Sequence, residues 1–300
     1  MSVETSWVKQ TDQKESAMTN PNQSPRTAGV IFVVVSAIVF SSAGIFTKGV
    51  SADAWTVIFW RGIAAATFTL IYMTWRSGFW SEVRAFGKPA LLVTLMGGAG
   101  TAAFIPAFKL STVANVALIY AAAPFVAAAL SWIFIKEKPT RTVIIASIAA
   151  MFGVLIIVSK SFGSSQILGD LLAFWMTLMM AGIMVIYRKY PDTTAALPAA
   201  LSSIILLPFA VLFSNPTDVL SNELPFLALF GLVFALASVT LSEGARRLPS
   251  AETALLSILE MPLAPILALL ILSEVPTPQA IVGGVIILCA VLWSQTRKGV

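Results

Sequence analysis

Two stretches decide the reading: LIYAAAPFVAAALSWIFIKEKPT at 118–140 and LSILEMPLAPILALLILSEVPT at 256–277. The first runs from Leu118 to Ile135 without a charge and stops at Lys136-Glu137-Lys138-Pro139-Thr140. An uninterrupted apolar run of this length, with no alternation of polar and apolar residues, suits a helix in hydrocarbon rather than a barrel strand. The second carries a proline at the matching depth, Pro262 against Pro124, and the matching close, Glu274-Val275-Pro276-Thr277.

Outward from these stretches, the rest of the 300 residues has the same character. Apolar residues make up 58% and charged residues 11%, with a mean hydropathy of +0.89. A soluble domain has about 45–50% apolar and about 25% charged residues. Too few charges are present to solvate a globule, which excludes a soluble enzyme, a disordered scaffold and a secreted disulfide mini-protein. Apolar spans are expected near 28–47, 54–75, 89–108, 112–134, 141–159, 168–187, 194–213, 225–245, 250–272 and 277–295. The fold class expected is therefore an all-α membrane protein with ten transmembrane helices. Residues 1–27 read as a disordered tail and 297–300 as a second short tail.

Loop charge orients the layout. With the N-terminus inside, 15 of the 19 lysines and arginines fall on cytoplasmic segments. Lys48, Lys109 and Lys160 fall outside, and Arg61 lies within a span. This bias puts both termini in the cytoplasm and supports an even number of spans. The net charge of +5 follows from that bias and does not call for nucleic acid.

The halves repeat. Gly29 and Gly169 open spans one and six, 140 positions apart, and Lys48 and Arg188 close them at the same spacing. Glu137 and Glu274 are separated by 137. Five spans per half is odd, so the repeats, 28–160 and 161–296, are expected to be inverted. That architecture is typical of alternating-access carriers with a solute site near the midplane.

The duplicated set, a span rich in small residues, a helix-internal proline and Glu-x-Pro-Thr before the last span of each half, resembles the EamA-type branch of the drug/metabolite transporter superfamily. FWRG at 59–62 is similar to that family's usual arginine position, whereas Leu259-Glu260-Met261-Pro262 departs from its common Glu-Pro by one inserted residue. The resemblance covers about 28–296. It implies ten helices around a central cavity and, for most members, export of small metabolites from the cytoplasm across the inner membrane.

Charge inside hydrocarbon costs at least about 2.5–3.5 kcal/mol, so buried ions usually face a cavity or a partner. Arg61 reads either as an anion clamp, its planar fork suiting a carboxylate or phosphate, or as a structural or snorkelling residue. Glu260, near the middle of span nine, is the proton-coupling candidate, could bind a solute ammonium, or is a hydrogen-bonded structural acid. The two together would suit an amino acid-like zwitterion. Tyr120, Trp60, Asn115, Ser257 and Trp175 are further candidates for lining the solute site. Pro124 and Pro262 are assigned to helix kinks at the cavity. Lys48 and Lys109 read as snorkelling interface lysines, and Glu243 and Glu252 as salt-bridge partners of the Arg246-Arg247 turn. Glu137 and Glu274 are read as holding their turns through backbone donors.

No cofactor or metal is expected: histidine is absent, the single Cys289 reads as a packed hydrophobe, and no phosphate-binding loop follows Gly97-Gly98-Ala99-Gly100. The partners expected are a small solute and the lipid bilayer, with a homodimer left open. An uptake carrier for a vitamin- or nucleoside-like solute is the main rival. A membrane-embedded enzyme, which would need a catalytic cluster that is not evident, and a channel stand further off.

Overall fold

The computed structural model describes residues 23–76, 78–136, 138–190, 192–245, 247, 256–257 and 259–296. Among them every regular element is a helix. The helices are α1 (Gln23–Ser41), α2 (Ala43–Lys48), α3 (Ala54–Trp75), α4 (Phe79–Arg84), α5 (Lys88–Leu110), α6 (Val113–Tyr120) and α7 (Ala123–Ile135). They continue with α8 (Arg141–Ser159), α9 (Gln166–Lys189), α10 (Ala196–Ile204), α11 (Leu207–Phe213), α12 (Leu224–Ala245), α13 (Glu260–Leu272) and α14 (Pro278–Thr296). Eight segments are long and apolar enough to cross a bilayer: 27–48, 54–75, 88–110, 113–135, 141–159, 166–187, 196–213 and 224–241. Two shorter apolar helices, Glu260–Leu272 and Pro278–Ser294, follow. The first part of the expected ninth span, at 250–255, lies outside the described residues, as do 1–22 and 297–300; residues 23–27, expected in the first tail, are instead the start of α1.

The motif Glu-x-Pro-Thr has a physical job, done twice. Lys136 and Ser273, 137 positions apart, are the two non-glycine residues with positive φ, at 63° and 56°, among the described residues. Each ends a helix, α7 and α13, in the left-handed conformation that turns the chain away from the axis. Proline then blocks helical continuation. Thr140 caps α8 by accepting from the Val143 amide at 3.3 Å, and Thr277 accepts from the Ala280 amide at 3.2 Å in the first turn of α14. One joint, stop then restart, thus serves both halves.

The packing has the same duplication. Helix α1 lies on α12 as α9 lies on α5, and α3 lies on α12 as α10 lies on α5. Three further contacts join an element to its own counterpart: α3 with α10 and α11, α6 with α13, and α8 with α14. Exchanging the halves reproduces the arrangement. Lipid offers no hydrophobic drive between helices, so close backbone approach matters more. At the α8–α14 contact Gly153 and Gly283 face each other, and a Cβ on Gly153 would sit 2.8 Å from the Gly283 carbonyl oxygen. The far side of α8, with Ile144, Ile148, Phe152 and Leu155, is exposed, as a lipid-facing surface requires. Cys289 is exposed on α14 rather than packed, because it shares the outward side with Ile281, Val282, Val285 and Leu292.

Two apolar segments are interrupted without a charged or multi-glycine break to announce it. Ser42 separates α1 from α2, and Ile205-Leu206 separate α10 from α11 before Pro208. The break at Ala121-Ala122 lies just ahead of Pro124, as its proline leads one to expect, and in the other half Leu259 precedes α13 and Pro262.

Candidate solute site

Arg61 lies two turns into α3, 1% exposed. Its guanidinium carbon is 4.5 Å from the Phe234 ring centroid and 5.4 Å from that of Phe230, both on α12. Phe46 stacks on Phe230 at 5.2 Å and Phe40 meets Phe234 edge-on at 5.6 Å. The ring faces supply cation–π attraction, but they satisfy no N–H. The Arg61 Nε has no hydrogen-bond partner, and no carboxylate pairs with the side chain among the described residues. A buried, fixed cation with donors left over is suited to an anion. By the spacing of 141 that relates Glu82 to Glu223, the corresponding position in the second half is Ser202. Its hydroxyl donates to the Ala199 carbonyl at 2.8 Å. Only one half carries the charge.

Tyr120 is the last residue of α6 and Glu260 the first of α13, and these two interrupted segments pack on each other. The Tyr120 hydroxyl is within electrostatic reach of the Glu260 carboxyl. Glu260 is half-buried and forms no ion pair with Arg61. The chain therefore presents an acid and a cation as separate polar points within the apolar bundle.

The remaining candidates are not gathered there. Trp60, half-buried, donates its indole N–H to the Pro216 carbonyl at 2.8 Å, near one end of the bundle. Trp175 is 48% exposed on α9, on the outer surface. Ser257 is half-buried and has an interaction partner. Asn115 is buried and donates to both oxygens of Asp170 at 3.2 Å.

Asp170 escaped the reading of the sequence, although an acid inside the expected span 168–187 was a visible signal. It is 1% exposed. The Ser161 hydroxyl donates to it at 2.5 Å, and Ser111 donates to its other oxygen. Three neutral donors, one in the first turn of α6 and two in the turns after α5 and α8, so hold one carboxylate of α9. Phe230 and Phe234, spaced as neighbours on one helix face, were also missed.

Lys48 and Lys109, half-buried at the ends of their spans, find acceptors there. Lys48 pairs with Glu274 at 2.7 Å, and Lys109 donates to the Val50 carbonyl at 2.6 Å. Glu274 also accepts from the Val113 amide at 2.5 Å. At the other end, Glu243 pairs with Arg247 at 2.6 Å and with Arg76, and takes the Tyr72 hydroxyl at 3.0 Å. Glu137, Arg246 and Glu252 lie outside the described residues.

Two further acids tie one half to the other through backbone amides. Glu82 accepts from Leu197 at 3.0 Å, and Glu223 from Ser51 at 2.6 Å and Ala52 at 3.3 Å. The Ser51 amide, above all, holds the Glu223 carboxyl below the usual carboxylate range, against some desolvation. Folding therefore favours the ionised form, and its contribution is present above the ordinary value of about 4.3 and lost as pH falls through the depressed one. The Tm advantage of the native chain over Glu223→Gln is expected to shrink below about pH 4. A difference that stays constant from pH 7 to 3 would contradict this.

A bundle of long apolar helices with lipid-suited outer faces and isolated buried ions is that of a multi-pass membrane protein. The family model of the EamA-like transporter family matches twice, at residues 27–159 and 167–295, and the chain belongs to that family. This agrees with the drug/metabolite transporter superfamily and makes the protein a membrane transporter of small solutes. The comparison with curated proteins found no match. Among 18 matching chains of solved structures, one described only as "Crystal structure of protein" superposes with a TM-score of 0.64. It covers 90% of this chain and 97% of its own at 14% identity, a likeness of fold.

Proposed function

We propose that the protein is a secondary carrier that exports an amino acid-like zwitterion across the cytoplasmic membrane by alternating access. Ten spans in two inverted repeats, 28–160 and 161–296, surround the solute, with both termini in the cytoplasm. The end bearing Lys48 and Glu274 faces outward. The observation that carries this reading is Arg61: a buried guanidinium, aligned by Phe230 and Phe234, with no acid paired to it among the described residues. It takes the carboxylate of the solute. Glu260 and Tyr120, at the crossing of the two interrupted segments, take the ammonium end, and Glu260 exchanges a proton for it. Trp60, Asn115, Ser257 and Trp175 are not needed at the solute in this reading; Asn115 acts through Asp170 on the start of α6.

The test begins with a thermal-shift screen of amino acids and their decarboxylated and deaminated analogues on the purified protein, since a bound solute raises stability with saturation. Zwitterions should shift the melting curve more than either singly charged analogue. Counterflow in proteoliposomes then follows the best ligand. Glu260→Gln should retain exchange and lose pH-gradient drive. If a pH gradient still drives this variant, Glu260 is not the coupling group.

A further inference from the structure

Asp170 is a buried anion with no opposite charge beside it. The residue is 1% exposed, and among the described residues no lysine or arginine pairs with it. Its hydrogen bonds come from neutral groups. Ser111 and Asn115 donate to one oxygen, Ser161 and Asn115 to the other. Such bonds ease the burial of a carboxylate but leave its charge uncancelled. The lysines nearest in sequence are used elsewhere or face out: Lys109 donates to the Val50 carbonyl, and Lys160 is exposed. Helix dipoles do not supply the missing charge. Two helices begin at this cluster, α6 and α9, and two end at it, α5 and α8, so their partial charges oppose one another. By the spacing of 140 that relates Gly29 to Gly169, the counterpart of Asp170 is Val30, and the anion is confined to one half.

Asn115 adds an independent observation. It is 2% exposed, and its Oδ1 has no hydrogen-bond partner while its Nδ2 reaches both carboxylate oxygens at 3.2 Å. A buried amide oxygen without a donor is costly. Rotating the amide by half a turn brings Oδ1 to the place that Nδ2 holds. Without a cation, that sets oxygen against oxygen; with one, it completes a ring of oxygen ligands. The parts are brought together by a close approach at Gly169, where a Cβ would lie 2.7 Å from both the Cβ and the amide nitrogen of Ser111.

We propose that Asp170, Asn115, Ser111 and Ser161 bind a sodium ion. Carboxylate, amide and hydroxyl oxygens are the ligands of a small hard cation. A serine hydroxyl that gives up its bond to the carboxylate offers lone pairs in its place. One positive charge balances Asp170, whereas a divalent ion would leave net charge within the apolar bundle. The bound ion ties the first turn of α6 to α9 and to the turns after α5 and α8. Tyr120 ends α6, so the ion anchors the helix that carries it. Binding at this site does not depend on the carrier reading, and its test needs no transport.

The test uses the purified full chain at about pH 8, where carboxylates in water are ionised, with choline chloride replacing sodium chloride at constant ionic strength. Sodium about tenfold above the half-point of its titration should raise Tm by about 2–4 °C over choline. Equal melting in the two salts overturns the site. Asp170→Asn keeps the shape and removes the charge, and should melt alike in both; a sodium-dependent rise retained in this variant overturns the assignment. Asn115→Leu keeps the charge and removes the spare oxygen, and should move the half-point at least about tenfold higher. An unmoved half-point removes Asn115 from the site and overturns the proposal as stated. Binding of radioactive sodium to the native chain decides the matter without a variant. Label displaced by unlabelled sodium and not by choline supports the site, and the lack of any displaceable label overturns it.

Discussion

Arg61→Met is expected to make the protein more stable and to stop it working. Among the described residues no acid neutralises the buried guanidinium, and its Nε is unpaired. Methionine fills similar space without a charge, so removing the ion should relieve about 2 kcal/mol after the lost cation–π contacts with Phe230 and Phe234 are set against it. In purified protein that is a rise of roughly 4–8 °C in Tm. Counterflow of the zwitterion found by the screen should fall at least about 30-fold, the usual minimum for truncating one partner of a desolvated charge pair. Arg61→Lys keeps a charge but not the fork, and should recover only part of the activity. Opposite signs for stability and transport identify a residue kept for its ligand. A fall in Tm together with retained transport would make Arg61 a structural residue.

Asp170→Ala should do the reverse. Here the ion has its donors: Ser111, Asn115 and Ser161 converge on it from the turns that begin α6 and α9. Without the carboxylate, buried donors lose their acceptor, and each such bond to a charged group is worth about 1.5–3 kcal/mol. The hydroxyls can rotate toward other acceptors and recover some of this, so roughly 3 kcal/mol, or about 6–12 °C in Tm, is the expected loss. Asp170→Asn keeps one acceptor oxygen and should fall between. Counterflow per folded molecule should change through solute affinity rather than pH drive, because Asn115 shares α6 with Tyr120. A melting temperature unchanged by Asp170→Ala would show that the network holds nothing in place.

The two residues mark the boundary of what could be read from sequence. Span positions were legible because the apolar runs are long and the breaks between them charged, and the repeat was legible because Glu-x-Pro-Thr occurs twice at one spacing. What that motif does was not: the left-handed turns at Lys136 and Ser273 and the caps made by Thr140 and Thr277 are properties of backbone geometry. Which way a side chain points was also out of reach. A spanning helix is apolar all round, so periodicity hardly separates the lipid face from the packed one. Trp175 was assigned to the interior on residue type alone, and it is on the outer surface. The partner of Lys48 was out of reach because an acid 226 positions away cannot be paired with it from sequence. Arg61 needed no partner to be noticed. Its lack of one became visible only when its neighbours were known.

The unequal pair Arg61 and Ser202 has a consequence for selectivity. A bundle alike in both halves would accept a molecule head first or tail first with equal ease. In the proposed carrier, a cation on one side and a hydroxyl on the other would give a solute with distinct poles one preferred posture. Reversing such a solute end for end is then no longer neutral, and vectorial order arises from the difference between two corresponding helices.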